Sequence, residues 1–225
     1  MDNYYEQRLN STKLFQVYET KYPRIKRYLS EEIKFVLEIL KGNEKVLEVG
    51  TGYGRIIKEL EPFASKLVGI DISKESVELG RSYIKESPKC SIEVMDAYNL
   101  KFGEEFDVVL CLQNGLSAMK GNPMDLIKQC IKVLVPGGTA YFSTYSFKFW
   151  NHRLDWFHEQ ADKGLLGEIN LEKTHDGIST CKDGFVATTL SEDELKKLGE
   201  KFGNNYIIKE VDESSLFLII KRSID

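Results

Sequence analysis

Residues 46–56 read VLEVGTGYGRI, and the order of events in them decides the fold. The apolar run Val46, Leu47, Val49 ends at Gly50, and glycines recur at Gly52 and Gly54. A helical spacing opens straight after them with Ile56, Ile57 and Leu60. The run reads as a buried strand, and the glycines as a tight strand-to-helix turn whose bare backbone tolerates positive φ. Such turns serve several ligand classes with different spacings. A dinucleotide fingerprint is G-x-G-x-x-G/A, and its third small position falls here on Arg55, a departure. A nucleotide P-loop needs G-x-x-x-x-G-K-[ST], and neither the Lys nor the hydroxyl residue is present.

Outward from this turn the chain alternates strand and helix. Upstream, residues 4–30 are polar and tyrosine-rich, with helical character broken near Pro23. Residues 31–41 set Ile33, Val36, Leu37 and Leu40 on one helical face, and Gly42 stops that helix. Downstream, KLVGIDIS (66–73) is a second strand, and Ser73 can cap the helix that follows. CSIEVMDA (90–97) and FDVVLCLQ (106–113) are a third and a fourth strand. The fourth is almost wholly apolar, as a strand covered on both faces should be. Residues 122–134 read as a helix with Ile127, Cys130, Ile131 and Leu134 inward; VPGG ends it, and TAYFSTYS (139–146) is a fifth strand. Alternation across about 40–146 predicts an α/β fold, a doubly wound and mostly parallel sheet with right-handed crossovers.

Beyond residue 146 the pattern changes. Residues 147–165 are aromatic and polar, and Asp176-Gly177 and Asp183-Gly184 are hairpin signals, so 168–189 reads as a small β insertion. Ser191 and Glu194 stand in capping-box spacing ahead of Leu195, Leu198 and Phe202. YIIKEVDESSLFLIIKR (206–222) reads as an antiparallel hairpin. One domain is expected, made of an N-terminal helical cap (1–41), a cofactor-binding core (42–146), an aromatic and β insertion (147–190) and a C-terminal helix and hairpin (191–225).

Three acids mark the carboxyl ends of successive strands. Glu48 lies two residues before Gly50, Asp71 closes the second strand, and Asp96 follows the third. In a doubly wound sheet these positions face the crevice beyond the strand ends. A carboxylate at Asp71 can take both hydrogen bonds of a ribose diol, and Asp96 can accept from an exocyclic amine. Each acid alone is also compatible with a surface carboxylate or a helix cap.

With VLEVGTGYG, GIDIS, VMDA, FDVVLCLQN and LVPGGTAYFSTY in order, residues 40–146 resemble the class I S-adenosylmethionine-dependent methyltransferases. The terminal hairpin extends the resemblance to most of the chain and implies seven strands, the last inserted antiparallel. It implies S-adenosylmethionine as cofactor, with Glu48, Gly50, Thr51 and Gly52 at the glycine-rich motif. Gly50 and Gly52 would admit the methionine moiety, Asp71 would hold the ribose, Ile72 would pack on adenine, Asp96 and Ala97 would meet the adenine edge, and Gln113 would line the floor near the sulfonium. A methyl acceptor would lie among Gln113, Asn114, Ser117 and Tyr145. Asn114, Tyr145 and His152 are the candidates for a proton-handling group, with His158 beside them. The aromatic residues Tyr4, Tyr5, Tyr18 and Tyr22 upstream, and Phe147, Phe149, Trp150, Trp156 and Phe157 downstream, either form a lid or pack the insertion onto the sheet.

Composition narrows the partners. The 225 residues carry a net charge of −4, which weighs against nucleic acid as the main partner. The basic stretch KYPRIKRYL (21–29) reads as a solvated helix face. LQNG (112–115) lacks the [DNS]-P-P-[YF] motif of base N-methylation. Cys90, Cys111, Cys130 and Cys181 have no pairing or metal-ligand spacing, and the three histidines form no zinc motif, so no metal is expected. No apolar run reaches a membrane span and residues 1–10 do not read as a signal peptide, which gives a cytoplasmic expectation. The expected activity is methyl transfer to a small-molecule acceptor, in a protein able to form a homodimer through its insertion. A protein or RNA acceptor, a nicotinamide-dependent oxidoreductase and a non-catalytic cofactor-binding protein are the alternatives.

Overall fold

The computed structural model describes residues 11–175 and 177–224. Two helices come first, α1 (Ser11–Tyr18) and α2 (Pro23–Ile39). Pro23 sits in the first turn of α2, where a missing N–H costs nothing, so it starts the helix instead of merely interrupting one. The two helical stretches expected on either side of Ser30 are therefore one helix.

The core alternates as expected. It runs β1 (Lys45–Val49), α3 (Arg55–Leu60), β2 (Lys66–Asp71), α4 (Lys74–Tyr83), β3 (Cys90–Val94), β4 (Phe106–Cys111), a single turn α5 (Gly115–Ala118), α6 (Pro123–Lys132) and β5 (Leu134–Tyr145). Ser73 caps α4 by accepting from the Ser76 amide. α6 ends two residues before Leu134, which belongs to β5 and pairs with Phe106. The VPGG stretch is thus the start of a strand, and a register shift between Phe106 and Val108 accommodates it.

Residues 150–162 form α7 (Trp150–Asp162). The insertion is small and β, with β6 (Ser179–Thr180) paired to β7 (Val186–Ala187) and a bridge between His175 and Ile178. Asp176, one residue of the expected turn, lies outside the described residues, as do Tyr4 and Tyr5. α8 (Glu192–Gly199) opens with the full capping box of Ser191 and Glu194. β8 (Tyr206–Val211) and β9 (Ser215–Lys221) complete one sheet of order β3-β2-β1-β4-β5-β9-β8. The first five strands run parallel; β9 is antiparallel to both β5 and β8.

Side chains alternate across the pleat and sort the helices into two layers. Leu47, Val49, Val109 and Phe142 face α6 and α8. Val46, Leu67, Val108 and Leu110 face α2, α3 and α4. A third cluster joins Val17, Ile25 and Tyr28 to Phe149, Trp156 and Phe157 of the α7 region and to Ile169, Cys181 and Phe185 of the insertion. It ties the N-terminal helices to the insertion at the carboxyl end of the sheet. The basic stretch before α2 has a specific role: Arg24 and Arg27 both reach Asp212 in the β8–β9 turn. Among the described residues no helix is long and apolar enough to cross a membrane.

Candidate functional site

Where the parallel strands end, a cavity of about 390 Å³ opens over β1, β2 and β4. Its first wall is the glycine turn. Gly50, Gly52 and Gly54 all have positive φ (76°, 56° and 80°), which an L-residue adopts only with strain. The Gly50 and Thr51 amides donate to the Ile70 carbonyl and pin the turn to β2. A Cβ on Gly52 would lie 2.6 Å from Leu14 Cδ2, and one on Gly50 would meet the Met119 methyl. Bare backbone therefore lines a narrow cradle closed by two flexible side-chain tips.

The acids occupy the other walls. Asp71 Oδ2 accepts from the Gly52 amide at 2.9 Å and Oδ1 from the Ser73 amide at 2.9 Å. Its carboxylate is thereby fixed at the cavity edge. Ile72 beside it is 43% exposed, an apolar surface left open next to that carboxylate. Asp96 and Ala97 follow β3, with the Tyr98 amide donating to Asp96 Oδ1 at 2.9 Å. Glu48 is buried on the α2–α3 side of the sheet and accepts from Thr51 Oγ at 2.6 Å. Burial raises its pKa to about 7, against the opposing effects of the Thr51 hydroxyl and the Arg55 guanidinium.

The floor follows β4. Gln113 and Asn114 are both left-handed, with φ of 53° and 65°. The Gln113 amide donates to Ser143 Oγ and the Asn114 amide to the Ser143 carbonyl, so β5 imposes this turn. Beneath it Glu32 of α2 is buried and accepts from Ser215 Oγ; burial lifts its pKa to about 7 as well.

All nine residues expected around the cofactor line this one cavity: Glu48, Gly50, Thr51, Gly52, Asp71, Ile72, Asp96, Ala97 and Gln113. The three candidates for proton handling do not. Asn114 is consumed by the scaffold: its side-chain oxygen accepts from Thr144 Oγ at 2.7 Å, and its amide nitrogen donates to the Thr188 carbonyl at 2.8 Å. Tyr145 is packed between Tyr28, Phe149 and the Arg153 guanidinium. His152 and His158 are exposed on α7. Of the named aromatic residues that are described, Tyr18 lines the cavity, whereas Phe149, Trp156 and Phe157 are core of the third cluster. The cavity also takes Leu14 of α1, Tyr53 and Arg55 of the glycine turn, Met95, Tyr98 and Met119. Leu14 and Tyr18 carry a signal of sorts, being four residues apart on one face of α1. Arg55 was visible only as the residue that broke a dinucleotide pattern.

A family model described as a methyltransferase domain matches residues 46–138. Together with the seven-stranded sheet and its antiparallel β9, this makes the chain a carrier of a class I S-adenosylmethionine-dependent methyltransferase domain. Among curated proteins, a ubiquinone biosynthesis O-methyltransferase of Proteus mirabilis is 23% identical over 156 residues, or 68% of this chain and 61% of that protein. The chain spans about half the length of the next curated relatives it matches. Among solved structures, the PH0226 protein of Pyrococcus horikoshii aligns over 99% of this chain and 100% of its own, at TM-score 0.68 and 17% identity. The N-methyltransferase NodS of Bradyrhizobium japonicum, solved with S-adenosyl-L-homocysteine, covers 98% of this chain and 99% of its own at TM-score 0.61 and 16% identity. At these identities the structural likeness speaks for the fold.

Proposed function

We propose that this protein binds S-adenosylmethionine in the cavity above β1, β2 and β4 and transfers its methyl group to a small-molecule acceptor. The observation that carries the reading is the convergence of the glycine cradle, Asp71, Asp96 and Gln113 on one cavity roofed by α1. The residues present fit the cofactor. Gly50 and Gly52 leave room for its amino-acid portion, Asp71 offers a fixed carboxylate to a diol, and Ile72 and Met95 offer apolar faces to a base. When bound, S-adenosylmethionine supplies a methyl group already activated for in-line displacement. The chain's own share is alignment and exclusion of water. Leu14 and Tyr18 do the excluding, and the Gln113 turn forms the floor toward which an acceptor must point.

The small acceptor is supported by the enclosure. A helix lies over the cradle, and the third cluster fills the space beside it, leaving a pocket and not an open groove. The relatives' names agree in kind and differ in the methylated atom, oxygen for the ubiquinone enzymes and nitrogen for NodS. Calorimetric titration with S-adenosylmethionine, S-adenosylhomocysteine and, as control, NAD(H) tests the cofactor. Micromolar binding of the adenosyl pair alone is expected; binding of NAD(H) alone would refute the reading. A screen of radiolabelled methyl transfer to phenols, amines and carboxylic acids, with protein and RNA as further arms, then assigns the acceptor.

A further inference from the structure

Arg55 is a cation in search of a partner. Its side chain is 14% exposed, and its guanidinium lines the cavity. Nη1 lies 3.3 Å from Glu59 Oε1, which is half exposed. Nε and Nη2 are buried and have no hydrogen-bond partner among the described residues. These two N–H groups form the straight side edge of the guanidinium, whose two parallel donors match the two oxygens of a carboxylate. Tyr18 of α1 covers the flat face, with its ring centroid 4.6 Å from Cζ. A buried charge with its best edge unused is costly, and the cost falls when an anion takes that edge. Glu48 and Glu32 act on Arg55 only through space, as no carboxylate of theirs comes within 4 Å.

We infer that Arg55 is the anchor for a carboxylate, and that this carboxylate is the one on the amino-acid tail of the cofactor. The inference rests on the cofactor reading above and adds a residue and a recognition chemistry to it. The argument for the tail is one of place. Arg55 directly follows Gly54, so its edge opens beside the glycine cradle, and Glu48 stands close by as the acceptor for an ammonium. One wall of the cavity thus offers a cation and an acid together, the complement of a zwitterion. Because Tyr18 lies on the same guanidinium, filling its edge also fastens α1 over the tail.

The test compares two ligands that differ by that tail. S-adenosylhomocysteine carries the amino acid; 5′-methylthioadenosine has the same adenosyl thioether without it. Wild-type protein is expected to favour the first by at least tenfold. Arg55→Gln should weaken S-adenosylhomocysteine about 10- to 100-fold and leave 5′-methylthioadenosine within about twofold, which also shows the variant folded. Arg55→Lys, which keeps the charge and loses the paired edge, should fall between. Equal weakening of both ligands in Arg55→Gln would make Arg55 a shaper of the pocket and overturn the assignment. An unchanged preference would move the carboxylate to the acceptor and overturn it too. Wild-type protein that binds neither ligand would overturn the cofactor reading itself, and the role of Arg55 with it.

Discussion

Asp71 holds two backbone amides and has a ligand to hold as well, so its replacement is informative. Asp71→Ala should weaken S-adenosylmethionine by about 1–3 kcal/mol, read by calorimetry, because charge-assisted contacts are lost. Unchanged affinity would remove Asp71 from the site. Gly52→Val should abolish binding, since its φ of 56° resists a branched residue and the Cβ would press on Leu14. The buried acids predict a pH response. Glu32 and Glu48 have folded pKa values of about 7 against an ordinary 4.5, so the folded protein keeps their protons longer than the unfolded chain does. The stability they contribute is full below pH 4.5 and is lost as the pH rises to about 7, at up to ~1.4 kcal/mol per pH unit for one group. Glu32→Gln, followed by urea unfolding between pH 5 and 8, should flatten that decline; a slope equal to wild type would show that Glu32 does not titrate in this range. At this scale the glycines and acids were legible because their meaning lies in spacing along the chain. Arg55 was not, because its meaning lies in an unfilled edge that exists only after folding.

Among elements, α2 is fastened to the far hairpin by a fork of two arginines on Asp212, whose side chain is 5% exposed. Asp212→Ala should cost about 1–3 kcal/mol in thermal or urea unfolding, as two buried-side donors lose a charged acceptor. A loss below ~0.5 kcal/mol would show the fork to be ornamental. Such a contact joins residues almost 190 positions apart, so nothing in KYPRIKRYL alone could announce it, and a solvated face was the natural reading. Boundaries set by local chemistry were readable: the Ser73 cap, the Ser191–Glu194 box and the Asp-Gly turns. The join of α2 across Ser30 and the early start of β5 at Leu134 were not. The first depends on Pro23 beginning a helix, and the second on β4 offering Phe106 as a partner.

For the molecule as a whole, the question is what the insertion does. Ile169, Cys181, Phe185 and Ala187 are buried with Trp156, Phe157 and Val17, and Thr188 receives the Asn114 amide at the cavity floor. Replacing 168–189 by a short Gly-Ser linker should therefore lower the melting temperature by several degrees and loosen the cavity floor. An unchanged melting curve would make the insertion an independent appendage. The doubly wound core was evident from strand–helix alternation, a one-dimensional property. The third cluster was hidden because its aromatic residues come from segments more than 100 residues apart, equally suited to a lid or to a core.

The sheet order also fixes a schedule. β9 lies between β5 and β8, so β5 has no neighbour on that side until residues 215–221 exist. Seventy residues separate Tyr145 from Ser215, and at 5–20 residues per second a ribosome needs roughly 4–14 s to make them. For that interval the nascent chain carries an unpaired edge over Thr139–Tyr145, next to a cavity whose floor is not yet held. Chaperone demand during synthesis should thus peak between these two strands and fall once β9 has been delivered.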